Sequence, residues 1–230
     1  MLFRSFSNFT VIRSKFDYNL GASSDDANSF IWTSNLMDYG FKSDFTYFLN
    51  PQNDIKFGMS SIFHTFESGN AKGLGSESIL NDLIIPPSYG LESGAYAQNE
   101  QKIGSRLTLK YGLRFSVYQN VGKATIYNFD KDYEAIDSTK YKSGDFFNAY
   151  GGVEPRFGFN FSVTETSSIK GNYSRTRQYM QLAQNSPGGN PLDIWLPCSP
   201  NIKPQIADQF GLGYFKNFLE DQLEKSVEAY

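Results

Sequence analysis

Cysteine, histidine and long apolar runs are scarce in this 230-residue chain. The single cysteine, Cys198, excludes an internal disulfide framework and a zinc site built from several cysteines. The single histidine, His64, excludes a metal site with several histidine ligands. No apolar run approaches the roughly 18 residues that a transmembrane helix needs. Lys plus Arg total 21 against 24 for Asp plus Glu, a net charge of −3, and this balance argues against a nucleic-acid-binding protein.

Aromatic residues and glycine are abundant instead. The chain has 21 Phe, 15 Tyr and 20 Gly, a composition that favours β structure. Alternation is most regular over 106–117, where every odd position is apolar and every even position is polar or small. The same pattern recurs at 153–163. Less regular alternation predicts further strands at 8–19, 30–40, 41–50, 54–66, 90–98, 167–180, 205–217 and 223–230.

The connections between these strands fall into two classes. Short polar turns are predicted at 50–54, 99–104, 164–167 and 219–222. They alternate with irregular stretches of roughly 20–30 residues at 67–89, 120–147 and 181–204, which is unusually long for a compact soluble domain. Every second connection therefore lies at the same end of an up-and-down antiparallel sheet.

These features together predict an all-β fold, an antiparallel up-and-down transmembrane β-barrel with short periplasmic turns and long extracellular loops. The sequence accounts for a partial barrel of roughly nine strands, each with about 10 residues of alternating hydrophobicity. In lipid every backbone polar group must be paired, and a closed sheet is the β structure that achieves this. A soluble β-sandwich also alternates, but its polar face lies outside and a second sheet covers its apolar face.

Two arginines fall where the apolar face of a strand meets the outer boundary of the membrane. Arg175 and Arg177 have the parity of the lipid-facing residues in the strand that follows the turn at 164–167. In the bilayer midplane an Arg costs about 2–4 kcal/mol, whereas near the interface it costs little. We expect both at the lipid interface among charged headgroups. A bulge that turns them inward is the alternative.

Several segments resemble the barrel of TonB-dependent outer-membrane receptors, especially those of Bacteroidetes. The most similar is Tyr150–Gly158, which contains Glu-Pro-Arg within a strand. Over about residues 30 to 230 the resemblance continues in Gly94–Glu100, Tyr111–Arg114, Ser168–Tyr179, Pro191–Pro197 and Ile202–Gln209.

The resemblance implies active uptake of a nutrient such as a siderophore, glycan or peptide, in the outer membrane of a Gram-negative bacterium. Such receptors are 22-stranded barrels with an N-terminal plug in the lumen. Ligand binds at the extracellular loops, and TonB acts on the plug with the energy of the proton-motive force. The implied partners are outer-membrane lipid and lipopolysaccharide, the receptor's own plug domain, TonB and a small nutrient ligand, with no nucleic acid.

Residues 1–230 are expected to be one partial barrel domain that lacks the plug and the C-terminal strands. The N-terminus is not a secretory signal, so either the protein is cytoplasmic or its export signal lies upstream of Met1. Two other functions stay open: a passive, porin-like outer-membrane channel, and a soluble β-sandwich that binds carbohydrate.

Charged residues on the inward-facing side of the strands are expected to line the lumen or contact the plug, because unpaired ions in a dry core cost several kcal/mol each. Glu154 and Arg156 are expected to form salt bridges within the wall or to the plug. The lumen-facing set is Lys42, Asp44, Lys56, Arg106, Lys110, Arg114, Glu154, Arg156 and Lys170.

Ligand contact is expected from the long loops, because recognition residues sit on loops that a rigid wall carries. The candidates are mostly aromatic side chains, which stack on sugars and planar siderophores alike. They are Tyr127, Phe129, Tyr133 and Tyr141 in one loop, and Asn190, Asp193 and Trp195 in another.

No catalytic residues, cofactor or metal site are predicted, and the chain is not expected to be an enzyme. His64 has no evident partner and is expected to be structural or solvated. Cys198 lies in a loop and a nucleophilic role is disfavoured. The acidic run from Asp130 to Asp137 could bind calcium, but a solvated loop is the favoured interpretation.

Overall fold

The computed structural model describes residues 4–22, 29–74, 82–183, 194–218 and 223–230. Within these ranges all regular structure is extended. The strands are β1 (Ser5–Ala22), β2 (Phe30–Asn50), β3 (Asn53–Gly73), β4 (Leu83–Ile84), β5 (Ser88–Ile103), β6 (Leu107–Val121), β7 (Ala124–Phe129), β8 (Ala135–Tyr141), β9 (Phe146–Thr164), β10 (Ser167–Gln178), β11 (Met180–Ala183), β12 (Ile194–Pro197), β13 (Gln205–Phe218) and β14 (Leu223–Ala229). Among the described residues, no helix is long and apolar enough to cross a membrane.

Nine strands form one antiparallel sheet in which neighbours in space follow one another along the chain. Their order is β1-β2-β3-β5-β6-β9-β10-β13-β14, and β4 pairs with the far end of β3. The prediction of an all-β, up-and-down partial barrel is therefore confirmed. Short connections at 51–52, 104–106 and 165–166 join strands at one end of this sheet.

The strands are much longer than the predicted 10 residues. β2 and β3 each have 21 residues, and β9 has 19. The separate strands predicted at 30–40 and 41–50 are one continuous strand, because Tyr39, Gly40 and Phe41 all pair in register with β3. The alternation of apolar and polar residues did not predict the extra length, because it disappears where both faces of a strand are polar.

The three long loops also contain regular structure that the sequence did not reveal. Residues 67–73 extend β3 and residues 88–89 begin β5, so that the predicted loop at 67–89 is shorter. The 120–147 segment contains the β7–β8 hairpin. The 181–204 segment contains the paired strands β11 and β12.

The register sorts the side chains onto two faces. One row across five strands is apolar and consists of Phe45, Phe57, Ala97, Leu113 and Pro155. The neighbouring row consists of Asp44, Gly58, Tyr96, Arg114 and Glu154. We call these the apolar face and the polar face of the sheet.

The apolar face has no protein covering over the described residues. Leu113, Phe115 and Phe210 are each more than half exposed. The two remaining sheets are two-stranded hairpins and not a second layer. A soluble β-sandwich requires such a layer, so the described residues do not favour that alternative.

Candidate functional site

The polar face carries a band of charged and polar side chains, many of them hydrogen-bonded across neighbouring strands. At its β2 end, the Tyr96 hydroxyl donates to Asp44 Oδ1 (2.7 Å). The other carboxylate oxygen of Asp44, Oδ2, pairs with Lys42 Nζ (2.9 Å). The ring reaches Asp44 across Gly58, where an added Cβ would lie 2.9 Å from Tyr96 Cε1. A glycine is needed here because any side chain would block the bond between β5 and β2.

Glu154 lies at the centre of the band, and only 1% of its surface is exposed. Arg114 Nη1 donates to both carboxylate oxygens (3.2 Å each), and Ser116 donates from its hydroxyl to Oε1. Arg156 Nη2 lies 3.9 Å from Oε2, and Arg114 Nη2 lies 3.5 Å from Glu92 Oε1 on the neighbouring strand. The buried carboxylate is thus paired within the wall, as its desolvation requires. The salt bridges expected of Glu154 and Arg156 are present.

His64 is buried toward the outer end of the same band. Its Nδ1 lies 2.8 Å from Asp38 Oδ1, and its Nε2 lies 4.0 Å from Glu92 Oε2. The ring packs between Phe66 and Tyr118, at centroid distances of 5.8 and 6.5 Å. This pairing could not be predicted from the sequence, because Asp38 and His64 are 26 positions apart.

Part of the 181–204 segment folds back over the polar face. We call residues 179–183 and 194–203 the strap. Wall side chains hold its backbone carbonyls: Ser68 of β3 donates to Trp195 O (2.7 Å), Asn120 of β6 to Cys198 O (2.7 Å) and Tyr150 of β9 to Ser199 O (2.9 Å). Strands lie about 4.8 Å apart, so these anchors spread the strap over about 14 Å of the wall.

A small core lies under the strap. Tyr179 stacks on Tyr118 (5.5 Å between centroids), and Cys198 packs against both, with Tyr150 at the margin. Tyr179 also shares a hydrogen bond with Ser116 (2.7 Å). Burial raises the pKa of the Cys198 thiol to about 11.

Two glycines make room for the rings of this region. An added Cβ at Gly90 would lie 1.9 Å from the Tyr118 hydroxyl, and one at Gly69 would lie 2.1 Å from the Trp32 indole. Both rings therefore rest directly on the backbone of the adjacent strand. The glycines fix where the rings can lie.

Some buried polar atoms near the strap have no hydrogen-bond partner in the protein. Among the described residues these include His64 Nε2, Tyr118 OH, Trp32 Nε1 and Arg177 Nε. A buried donor or acceptor left without a partner costs about 1–3 kcal/mol. These unpaired atoms therefore lower the stability of the state in which the strap covers the polar face.

The predicted lumen-facing residues near the short turns are more exposed. Lys110 pairs with Glu100 (3.2 Å), and Lys170 Nζ lies 4.2 Å above the Phe215 ring. Lys56 shares the polar face through its pairing with Gln98. Arg106 lies in the turn before β6 and not on the wall, and its carbonyl accepts a hydrogen bond from Ser162 N (2.8 Å).

The structure separates the two arginines expected at the lipid interface. Arg175 stays on the apolar face, where Nε and Nη2 donate to the Asp208 carboxylate (2.8 and 2.9 Å) and Tyr173 donates to the same group. The Arg177 guanidinium lies where a Cβ of Gly152 would project, 2.3 Å from Nη2. Gly152 pairs with Ser116, so Arg177 is on the polar face. The register between β10 and β13 is unbroken at both arginines, and the contact of Arg175 with charged headgroups stays a prediction.

The β7–β8 hairpin carries the other predicted ligand-binding aromatics. Tyr127 and Phe129 are about half exposed, and Tyr133 at the tip is 88% exposed with a backbone φ of 63°. Tyr141 instead stacks on Phe147 (4.3 Å). Asn201 of the strap donates to Tyr127 O (3.0 Å) and joins the hairpin to the strap.

The acidic run of this hairpin forms a turn. Asp130 Oδ1 accepts the backbone N–H groups of Asp132 and Glu134 (2.9 Å each), so one carboxylate is used locally. In the part of the chain that the structure describes, no group of three or more His, Cys, Asp or Glu side chains is placed to hold a metal ion.

The structure thus brings Lys42, Asp44, Arg114, Glu154 and Arg156 onto one face and joins Tyr127 to the Trp195 loop. Asn190 and Asp193 lie outside the described residues. Sequence reasoning missed the second partners of the band, which are Asp38, Glu92, Tyr96, Ser116, Tyr118 and Tyr179. Strand parity puts several of them on the polar face, but their contacts depend on the register between strands.

Solved structures of similar fold are outer-membrane receptors and transporters. The copper transporter OprC superposes with a TM-score of 0.62 at 11% identity, over 92% of this chain and 34% of OprC. FpvA of P. aeruginosa, solved with ferric pyoverdines, gives 0.52 at 13% identity over 97% of this chain and 29% of FpvA.

The ferric-catecholate import receptor Fiu of E. coli K12 gives a TM-score of 0.51 at 15% identity, over 97% of this chain and 37% of Fiu. The chain therefore spans about a third of the length of these structures. No curated protein matches it in sequence.

The family model for the TonB-dependent receptor-like β-barrel matches residues 3–230. The finer resemblance to Bacteroidetes receptors stays a prediction. The chain belongs to the TonB-dependent receptor β-barrel family, and this places it in the outer membrane of a Gram-negative bacterium.

Proposed function

We propose that this chain forms part of the wall of a receptor that takes up a small nutrient actively across the outer membrane. Its polar face lines the lumen and its apolar face contacts lipid. The observation that carries the proposal is the two-faced sheet, which exposes Leu113 and Phe115 on one side and pairs Arg114 with Glu154 on the other. A membrane barrel with a wet interior accounts for both faces.

In this proposal the lumen also holds a plug domain, and TonB couples the plug to the proton-motive force. Lys56 has no ion-pair partner among the described residues and lies on the polar face, which borders the space that a plug would occupy. Arg106 lies in the turn before β6, at the short-turn end of the sheet. Lipopolysaccharide and lipid contact the apolar face up to the level of Arg175, whose pairing with Asp208 neutralises it near the headgroups.

The first contact with the nutrient falls to the exposed aromatics of the hairpin. Tyr127, Phe129 and Tyr133 present ring faces to solvent at the end of the sheet away from the short turns. Asn201 of the strap donates to Tyr127 O, so the strap that carries Trp195 is joined to the hairpin. No residue of the described chain is assigned a catalytic role.

Site-directed labelling tests the orientation of the two faces. In outer membranes, a cysteine at position 156 should react with a membrane-impermeant thiol reagent, and a cysteine at position 113 should react only with a lipid-soluble one. Both variants would carry Cys198→Ala. Equal reaction of both positions with the impermeant reagent would contradict the proposal.

Uptake in the native bacterium separates active from passive transport. Cells should accumulate the nutrient only with TonB present and without a protonophore. A porin-like channel would continue to equilibrate the nutrient after loss of TonB, and that result would replace the active mechanism with the passive alternative.

A further inference from the structure

Three polar groups of the wall surround Gly90 beneath the strap. His64 pairs with Gly90 across β3 and β5, the Tyr118 hydroxyl rests over the Gly90 backbone, and Glu92 lies two residues along on the same face. His64 and Tyr118 are only 2% and 1% exposed, yet His64 Nε2 and Tyr118 OH have no hydrogen-bond partner among the described residues. We call these three residues the Gly90 cluster.

The cluster offers both a donor and acceptors. His64 Nδ1 lies 2.8 Å from Asp38 Oδ1, while its Nε2 has no hydrogen-bond partner among the described residues and can donate to or accept from a ligand. Glu92 Oε1 accepts from Arg114 Nη2 at 3.5 Å and Glu92 Oε2 lies 4.0 Å from His64 Nε2, so the carboxylate keeps further acceptor capacity. The Tyr118 hydroxyl can donate. The carboxylates of Asp38 and Glu92 are each about a fifth exposed, so the cluster opens to solvent on that side.

The donors and acceptors of the Gly90 cluster favour a ligand that carries hydroxyl groups. A hydroxyl group both donates and accepts, so one hydroxyl can serve Tyr118 and Glu92 or His64 together. Displacement of the strap, which carries Tyr179, would uncover the Tyr118 ring, and Phe66 and Tyr118 then supply apolar faces of the kind that pack on sugar C–H groups.

Other ligand classes fit less well. An anion would face Asp38, Glu92 and Glu154, while Arg114 is already shared between two of these carboxylates. A cation would leave the Tyr118 hydroxyl without an acceptor. A metal ion would need more ligands than the described residues bring together.

We propose that the Gly90 cluster is a binding station on the lumen wall for a neutral, hydroxyl-rich ligand such as an oligosaccharide, and that the strap competes with the ligand for it. The inference rests on the proposed function, since it places the nutrient in the lumen. Tyr179 and Cys198 cover Tyr118 when the strap is seated, and the anchors at Asn120 and Tyr150 hold them there.

The two kinds of variant should shift affinity in opposite directions. Tyr118→Phe removes the hydroxyl and Glu92→Leu removes the carboxylate acceptor, so each variant loses one bond to the ligand and should weaken binding about 3- to 10-fold. Asn120→Ala frees the strap and should strengthen binding severalfold. Tyr111→Phe, on the apolar face, is the matched control and should leave affinity unchanged.

Calorimetric titration of the detergent-purified receptor tests this. The probes are neutral gluco-, xylo- and mannooligosaccharides, with a ferric tricatecholate as the anionic comparison. Gel mobility before and after heating confirms that each variant is folded. The protein's two tryptophans, Trp32 and Trp195, lie beside Gly69 and Ser68, so their fluorescence reports whether the strap moves.

Saturable oligosaccharide binding with the opposite-signed changes supports the inference. Binding of the tricatecholate alone, or affinities that do not respond to Tyr118→Phe and Asn120→Ala, overturns it. TonB-dependent uptake with an unresponsive cluster would overturn this inference and leave the proposed function intact. If the variants of the Gly90 cluster change oligosaccharide affinity as expected but uptake does not depend on TonB, the proposed function is overturned and the binding site stands.

Discussion

The strap and the β7–β8 hairpin are both parts of long connections at the same end of the sheet, but they meet the wall in different ways. The strap is held by Ser68, Asn120 and Tyr150 and covers a buried core. The hairpin leaves Tyr127, Phe129 and Tyr133 exposed. The difference teaches that loop length alone does not decide how a loop packs. A long loop lies against the wall where wall side chains donate hydrogen bonds to its backbone carbonyls.

The strap and the hairpin should differ most in the rate at which a cysteine in each reacts with a thiol reagent. Burial raises the pKa of Cys198 to about 11, from an ordinary 9.0, so its thiolate is scarce at pH 8. A cysteine at Ser138 in the hairpin, in a Cys198→Ala background, should react with a maleimide about 100-fold faster than Cys198 in the native chain.

The rate at Cys198 should rise about tenfold per pH unit up to the raised pKa. Because the folded-state pKa is above the unfolded value, this thiol favours the folded state below about pH 9, and that contribution is lost as pH rises toward 11. Equal labelling rates at the two positions would show that the strap does not bury Cys198.

Gly90→Ala should be the most destabilising single substitution under the strap. The new methyl would displace the Tyr118 ring, and overpacking of this kind costs about 1–3 kcal/mol. Urea titration of the folded protein in detergent measures the loss. Gly158→Ala is the control and should be nearly neutral, because its Cβ would meet only Gly171 O, at 3.6 Å. Equal effects at the two glycines would argue against a packed core beneath the strap.

Loss of one anchor should have a smaller effect. Asn120→Ala leaves the Cys198 carbonyl without its donor and should lower the free energy of unfolding by about 1–2 kcal/mol. Proteolysis within the strap should become faster at the same time. Asn201→Ala removes the exposed bond between strap and hairpin, and we expect a change below about 0.5 kcal/mol. A larger loss from Asn201→Ala would make the hairpin, and not the wall, the main support of the strap.

The smallest effect should be a gain at the hairpin tip. Tyr133 has a φ of 63°, which costs a non-glycine residue about 1 kcal/mol, so Tyr133→Gly should stabilise the fold by up to that amount while it removes an exposed ring. Tyr127→Ala lacks the backbone effect and serves as the comparison. A loss of stability in Tyr133→Gly would mean that the ring has a structural role.

Much of the wall could be predicted from the sequence, and little of what covers it. Alternation at 106–117 and 153–163 identified β6, β9 and the two faces, because side-chain direction follows directly from parity. The pairing of His64 with Asp38 could not be predicted, since it depends on a register that the sequence does not state. The strap was missed because its anchors are backbone carbonyls, which leave no residue pattern.

The length of β2 and β3 determines where this protein meets its surroundings. With a tilt near 45°, each residue rises about 2.3 Å along the barrel axis, so that 21 residues span about 48 Å. The apolar band of an outer-membrane barrel is about 25 Å tall. The wall is therefore taller than the acyl-chain layer. The proposed function places nutrient capture beyond the lipid, where residues on the upper rim have water on both sides of the sheet.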